Sequence, residues 1–307
     1  SIAWVDRGGM LRIGPESAGS VPGPVCYGQG NTRPTVTDAN VVLGRINSES
    51  PIGGSLKRLD TKAAMDAIET HIATPLGLTV MQAAEAIIQV ANAEMANALR
   101  LVSIERGYDP KNFVAMPFGG GGALHAGALM MDVGLKKTLV PRYPGVTSAL
   151  GCTIADMRHD FVKTINQATA ELSVEDLDES IVQTARKGIA LVEESGVALS
   201  SITIQVELDM SYIGQTHTVN VPLELKLDGD TTRVTLAQIC EAFEERYKGV
   251  YGRTLEDLPT RILSMRVAVM GIRPKLEVSS LAGDEASSVE DAFKGTRDVW
   301  FSGAFVS

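Results

Sequence analysis

Phe118-Gly119-Gly120-Gly121-Gly122-Ala123-Leu124-His125-Ala126 is the stretch that decides the predicted fold. It follows a short apolar run at 113–116, typical of a strand, and precedes an alanine-rich run at 123–133, typical of a helix. Glycines lack Cβ, so this turn accepts positive φ angles and exposes backbone N–H groups. The helix start adds the positive end of a dipole, which favours an anionic ligand. The spacing fits neither the Rossmann nor the P-loop signature, and a tight turn without a ligand is an equally open interpretation.

The composition is that of an ordinary globular protein. The chain has 307 residues, of which 44% are hydrophobic and 21% charged, and this length most often holds two domains. The net charge is −9 and no basic block stands out, which argues against nucleic acid and anionic membranes as partners. No apolar run is long enough to span a bilayer.

The cysteines and histidines give no metal or disulfide pattern. The three cysteines are far apart and form no C-x-x-C pair, which favours reduced thiols and a cytoplasmic location: Cys26, Cys152 and Cys240. The four histidines lack the spacing of a zinc site: His71, His125, His159 and His217.

A proline-rich segment follows a predicted hairpin at 1–13. Residues 14–28 contain three prolines and four glycines, which exclude helix and regular sheet. Long, stiff loops are often functional. Cys26, near the end of this loop, is therefore either a small buried hydrophobe or a residue that lines the substrate pocket.

The next segments predict helices. Thr37 or Asp38 can cap a helix at 39–43, and Asp60 can cap a second at 61–73. The longest helix is predicted at 80–106, from apolar residues recurring every three or four positions.

Polar residues on and beyond the longest helix are candidates for a site. Most of them, Asn92 included, are expected to be solvated, although Asn97 and Arg100 could reach the glycine turn. His125 lies in the first turn of the next helix. Capping or core packing is one interpretation of this residue, and a ligand-binding or catalytic role is the other.

The remaining pattern predicts two domains. A strand at 137–141 and a helix after the turn at 144–151 complete an α/β arrangement. The polar run at 156–160 could form an internal ion-pair network. We place the boundary near residue 165, giving domains at 1–165 and 166–307. The second domain is predicted as α+β, with strands at 201–212, 217–222 and 261–269 and helices at 179–195 and 236–247.

Seven co-linear stretches resemble one family. They are 14–28, 35–40, 105–110, 118–126, 155–160, 209–215 and the pair Arg246-Tyr247 with Tyr251-Gly252. In this order they resemble the hydantoinase/oxoprolinase family, which includes the A-type subunit of N-methylhydantoinase, 5-oxoprolinase and the β subunit of acetone carboxylase. The resemblance covers nearly the whole chain. Both ends are apolar, and we interpret the chain as a fragment.

The resemblance implies the second half of an actin-like ATPase fold of the sugar kinase and heat-shock type, followed by a smaller α+β domain. In that fold a Gly-Gly turn holds the adenosine and α-phosphate side of ATP, a position that Gly119, Gly120, Gly121 and Gly122 match. Here Gly121 and Ala123 stand where the family usually has alanine and proline, so we expect a looser turn. The loops that grip the β- and γ-phosphates are expected upstream of Ser1, so the chain alone is expected to be inactive.

The implied activity is ATP-dependent phosphorylation of a cyclic amide or carbonyl oxygen, normally with Mg²⁺. Asp38 is the candidate catalytic and Mg²⁺-binding residue, with Asp156 as a weaker alternative. His125 is the second catalytic candidate, and Cys26 the pocket candidate. A B-type subunit or domain is the implied partner, in an oligomer. Two alternatives stay open: a non-catalytic docking module, and an acetone carboxylase-type subunit that phosphorylates a ketone.

Overall fold

The computed structural model of the chain describes residues 1–51, 56–255, 258–275, 277 and 288–307. Two compact units are present. The first comprises residues 1–150 together with 284–307, and the second comprises residues 151–283. The domain boundary near residue 165 stays a prediction.

The first unit begins with the predicted hairpin and the irregular segment. Strands β1 (Ala3–Val5) and β2 (Leu11–Ile13) pair antiparallel, which confirms the hairpin. Residues 14–24 contain neither helix nor strand, as the prolines and glycines require, and a single 3-10 turn follows at Val25–Tyr27.

The first helix, α1 (Val36–Val42), starts earlier than predicted. Its N-cap is Thr35, so the expectation that Thr37 or Asp38 would be the cap was wrong. The reason is a reciprocal capping box: the Thr35 hydroxyl accepts from the Asp38 N–H at 3.3 Å, and the Asp38 carboxylate accepts from the Thr35 N–H at 2.8 Å. Three further residues thereby join the helix.

Two more helical segments complete the core of this unit. Helix α2 (Thr61–Ile68) is capped by Asp60, as predicted, and continues through a π-helical turn at Glu69–Ala73 into the short α3 (Thr74–Leu76). The longest helix, α4 (Val80–Val102), ends slightly before the predicted residue 106. None of the helices in the described part of the chain is long and apolar enough to cross a membrane.

The hydrophobic core of the first unit lies between α1, α2 and α4. Small and branched side chains let these helices pack closely, and the most completely buried include Ala39, Leu43, Ala64, Ile68, Ala83, Ala84 and Ile87.

The glycine turn belongs to a short β-α-β element. Strand β3 (Val114–Ala115), helix α5 (Gly122–Val133) and strand β4 (Lys137–Thr138) follow in order, and the two strands pair in parallel. The predicted strand–turn–helix–strand order is confirmed, although both strands are shorter than predicted. Helix α6 (Thr147–Ile154) comes next.

The second unit is a four-stranded antiparallel sheet with two helices on one face. The strands are β5 (Met157–Ala168), β6 (Ser201–Tyr212), β7 (Val219–Leu223) and β8 (Thr260–Ile272), in the spatial order β5-β8-β6-β7. Helices α7 (Val174–Glu194) and α8 (Leu236–Tyr251) pack on it around a single hydrophobic core. The α+β prediction is confirmed, and the α/β class of the fold as a whole is also confirmed.

The polar run at 156–160 differs from its prediction. Met157 begins β5, and Arg158 and Asp160 form an ion pair in which both side chains are about half exposed, at 50% and 57%. The Asp156 carboxylate accepts a backbone N–H from Arg273 at 2.8 Å. Alternation along a strand explains the difference, because residues 158 and 160 lie on the same face of an edge strand and reach water.

The last described residues return to the first unit. Helix α9 (Val289–Ala292) is followed by an antiparallel hairpin of β9 (Val299–Phe301) and β10 (Ala304–Val306). The Trp300 N–H donates to Leu43 O at 2.9 Å, and its indole N–H donates to Glu85 at 3.1 Å. The Arg297 guanidinium donates to Gly44 O at 3.0 Å. This hairpin therefore covers the end of α1.

One glycine sets the distance between α7 and the sheet. A Cβ on Gly188 would collide with Val269 of β8 and lie 3.0 Å from Phe161 of β5. We expect Gly188→Ala to lower the free energy of unfolding by about 1–3 kcal/mol through overpacking, although alanine is the better helix former. Urea denaturation of the chain measures the change.

Gly249 of α8 provides the matched control, because a Cβ there meets nothing within 4 Å. We expect Gly249→Ala to leave stability unchanged or to raise it by about 0.5–1 kcal/mol. Equal effects of the two substitutions would contradict the packing argument.

Candidate functional site

The glycine turn is open to ligand. A Cβ built on Gly119, Gly120 or Gly121 meets no atom within 4 Å. Only Gly119 has a positive φ, +83°, and its N–H donates to Pro144 O at 2.7 Å. The other glycines adopt conformations that any residue can take, so backbone conformation alone does not require glycine at these positions.

The start of α5 presents unsatisfied donors to this open space. Its N-cap, Gly121, has no side chain, and no side-chain hydrogen bond caps the helix. The backbone N–H groups of Gly120, Gly122 and Ala123 have no acceptor within the described part of the chain. Free N–H groups at the positive end of a 12-residue helix attract an anion, and missing side chains permit close approach. The turn therefore suits an anionic group.

His125 lies one turn into α5 and is buried, with 8% of its surface exposed. Its Nδ1 is 2.7 Å from Oδ1 of Asn92 on α4, which is 7% exposed. The expectation that Asn92 would be solvated was wrong. Its position, four residues after buried Ile88 and eight after buried Ala84, places it on the apolar face of the helix, and this periodicity is visible in the sequence.

Arg45, at the turn after α1, adds positive charge near His125. Burial, followed by the charge of Arg45, lowers the pKa of His125. Burial also lowers the pKa of Arg45 itself, while Glu85 of α4 opposes that change. The Arg45 guanidinium lies 5.4 Å from the centre of the Phe301 ring, and its Nε is buried without a hydrogen bond. The surroundings of His125 thus favour a neutral imidazole.

Asp38 is fully buried and accepts hydrogen bonds on both carboxylate oxygens. Oδ1 accepts from the Cys26 N–H at 2.8 Å, and Oδ2 accepts from the Val25 N–H at 3.1 Å. Oδ2 also accepts from the N–H and hydroxyl of Thr35, at 2.8 and 2.7 Å.

These contacts bear on the candidate Mg²⁺ site. Mg²⁺ requires octahedral oxygen ligands and normally retains several waters. A carboxylate with no exposed surface and four donors around it leaves no space for the ion and its waters. Among the described residues, no group of three or more histidine, cysteine or acidic side chains could hold a metal ion. The geometry at Asp38 does not fit Mg²⁺, and a catalytic role for Asp38 stays a prediction.

Cys26 is 1% exposed and belongs to the hydrophobic core of the first unit. Burial, followed by the nearby Asp38 carboxylate, raises the pKa of its thiol. A thiol of raised pKa is a poor nucleophile, because the thiolate is the reactive form. The contacts favour packing, and the assignment of Cys26 to a substrate pocket stays a prediction.

The structure joins the predicted site residues in two groups. Asp38 and Cys26 are directly hydrogen-bonded, and His125 lies in the first turn of the helix that the glycine turn begins. No hydrogen bond or ion pair links these two groups within the described residues. Asn97 and Arg100 bond to each other, and Arg100 also donates to Asp132 O, not to the glycine turn.

Comparison with known proteins covers nearly the whole chain. Residues 1–161 match the family described as Hydantoinase/oxoprolinase, and residues 163–307 match the Hydantoinase/oxoprolinase C-terminal domain. Caprolactamase subunit alpha from Pseudomonas jessenii is 37% identical over 88% of this chain and 39% of its own length.

Two solved structures share the fold. The crystal structure of ATP-dependent caprolactamase from Pseudomonas jessenii aligns with 94% of this chain and 42% of that chain, at 34% identity and a TM-score of 0.61. The nucleotide-free structure of acetone carboxylase aligns with all of this chain and 44% of that chain, at 26% identity and a TM-score of 0.65. The chain thus spans about two fifths of the length of these relatives. On the matches to both family domains, the chain belongs to the hydantoinase/oxoprolinase family.

Proposed function

We propose that the full-length protein containing this chain is a subunit of an ATP-dependent amidohydrolase that activates a cyclic amide for ring opening. The observation that carries the proposal is the open glycine turn at the uncapped start of α5. Membership of the family supports it, as does the likeness to a solved structure of an ATP-dependent caprolactamase.

The chain's contribution is to bind and orient the nucleotide. An amide is a poor electrophile, and bound ATP supplies the phosphoryl group that converts the amide oxygen into a leaving group. The N–H groups of Gly120, Gly122 and Ala123 would hold the nucleotide on its adenosine and α-phosphate side, because they are unpaired and lie at the start of α5. Because Asp38 does not fit a metal, groups other than Asp38 would neutralise the charge of the other phosphates.

Relatives support a multisubunit assembly. The caprolactamase relative is named as an alpha subunit, and the acetone carboxylase relative is named as a beta subunit. We propose that a B-type subunit completes hydrolysis, in a cytoplasmic hetero-oligomer.

Two other functions remain as alternatives. An acetone carboxylase-type subunit would phosphorylate a ketone, which the structural likeness to acetone carboxylase supports. A non-catalytic docking module would need no nucleotide, and the open, uncapped turn favours the ATP-dependent enzyme over it.

ATP binding by the full-length protein tests the proposal. A side chain at residue 120 has free space in the unliganded chain, so Gly120→Val leaves the fold intact but obstructs a ligand that must approach the backbone. We expect the ATP affinity measured by calorimetry to fall at least about tenfold, or about 1.4 kcal/mol.

Gly249→Val is the matched control, because this glycine also has open space around its Cβ position and no positive φ, and it belongs to the second unit. We expect unchanged ATP affinity. If Gly120→Val binds ATP normally while folded, the turn is not the nucleotide site.

The chain by itself is expected to show no ATPase activity. The loops for the β- and γ-phosphates are implied upstream, and the one fully buried carboxylate near the proline-rich loop is occupied by hydrogen bonds. Phosphate release by purified residues 1–307 is the measurement. Turnover that persists after further purification and is lost in Gly120→Val would show that the phosphate-binding groups lie within this chain.

Cys26 is expected to be unreactive in the native protein. We expect iodoacetamide at neutral pH to label Cys152, which is exposed, and to leave Cys26 unlabelled because its thiol is buried and of raised pKa. Peptide mass spectrometry before and after unfolding measures both. Rapid labelling of native Cys26, or a covalent substrate adduct on it, would contradict this expectation.

A further inference from the structure

We propose that Asn92 is a positioning residue that fixes the tautomer of His125, so that His125 Nε2 accepts a hydrogen bond from a hydroxyl or N–H group of the ligand at the glycine turn. The ligand part of this inference rests on the proposed function. The tautomer part rests on the contact between the two side chains alone.

The hydrogen bond determines where the imidazole proton resides. Oδ1 of Asn92 is an acceptor and lies 2.7 Å from His125 Nδ1, so Nδ1 carries the hydrogen. In a neutral imidazole the other nitrogen is then an acceptor without hydrogen. Asn92 thereby makes Nε2 a hydrogen-bond acceptor.

The charge around the ring keeps it neutral. Arg45 is the charged group that acts on His125, and the positive end of the α5 dipole disfavours an imidazolium in the same way. The elements packed against α5 carry further charges on α4 and β4, namely Glu85, Glu94, Arg100 and Lys137. None of these contributes to the lowered pKa of His125. A neutral ring retains a lone pair on Nε2.

Nε2 is available to a ligand. The buried side-chain nitrogen and oxygen atoms without a hydrogen bond in the described residues are Asn40 Oδ1, Arg45 Nε and Ser211 Oγ. His125 Nε2 is not among these atoms, and no described residue forms a hydrogen bond to it, so it retains contact with solvent. Helical side chains lean toward the N-terminus, which directs His125 toward the glycine turn.

Carbethoxylation tests the availability of Nε2. Diethylpyrocarbonate reacts with unprotonated, accessible imidazole nitrogen, and peptide mass spectrometry reports each histidine separately. In the full-length protein we expect His125 to react, and we expect saturating ATP to slow its reaction at least about fivefold. His71 and His217, both exposed, serve as internal controls whose rates ATP leaves unchanged. An unreactive His125 beside reactive controls would overturn the proposal.

Substitutions at residue 92 test positioning. Asn92→Asp keeps an acceptor and adds negative charge, so we expect the half-reaction pH of His125 to rise by about one unit and activity to be retained at higher pH. Asn92→Leu removes the acceptor, and we expect the KM for ATP to rise on the order of tenfold, with little change in kcat, because a binding contact to the nucleotide is lost. Gln89→Leu, at an exposed amide on the same helix, is the matched control and is expected to resemble the wild type.

The outcomes separate this inference from the proposed function. If ATP binds but does not protect His125, the inference fails and the nucleotide site stands. If the wild-type protein does not bind ATP, the proposed function fails. If Asn92→Asp leaves the pH dependence of His125 labelling unchanged, Asn92 does not control the imidazole and the positioning role is wrong.

Discussion

The buried carboxylate of Asp38 is the contact on which the first unit depends. A carboxylate without solvent is costly unless donors surround it, and here three backbone N–H groups and one hydroxyl do so. They come from Val25 and Cys26 at the end of the proline-rich segment and from Thr35 at the start of α1. One side chain thus fixes an irregular loop to a helix. Cys26 O in turn accepts the N–H of Asp60, which caps α2.

Helix α4 links the core of the first unit to the candidate nucleotide site. Its alanine-rich face packs against α1 and α2, and the same face continues to Asn92, which holds His125 of α5. A polar pair at this position is tolerated because each partner satisfies the other. The position of the His125 ring is therefore fixed by the packing of two helices and does not depend on a flexible loop. A hydrogen-bonding group that must be placed accurately requires such support.

Local signals in the sequence predicted the helices, strands and turns, whereas contacts between residues far apart in the sequence could not be predicted from it. The glycine turn, the hairpin and the cap of α2 each depend on neighbouring residues and were predicted correctly. The Asn92–His125 pair spans 33 positions, and the bond from Arg297 to Gly44 spans 253. Asn92 was detectable from its place on an apolar face. Nothing in the local sequence around Trp300 indicates that it would return to Leu43.

The stretches that resemble the family differ in whether their polar groups form hydrogen bonds within the chain. The stretch 209–215 forms hydrogen bonds that hold neighbouring segments of the second unit in place. Tyr212 Oη accepts the N–H of Leu255 at 3.1 Å, and Gln215 donates to Tyr247 Oη at 2.8 Å. Asp209 accepts from Arg266 at 2.8 Å, and, although burial opposes it, hydrogen bonds from Ser264 and Arg266 lower its pKa. In the stretch 35–40 the polar groups of Thr35 and Asp38 are hydrogen-bonded in the same way, whereas Asn40 Oδ1 is buried without a partner among the described residues. At the glycine turn, by contrast, donors are unpaired and space is open. These donors lie at an exposed helix start, so an anionic group can bind them without breaking a hydrogen bond of the fold.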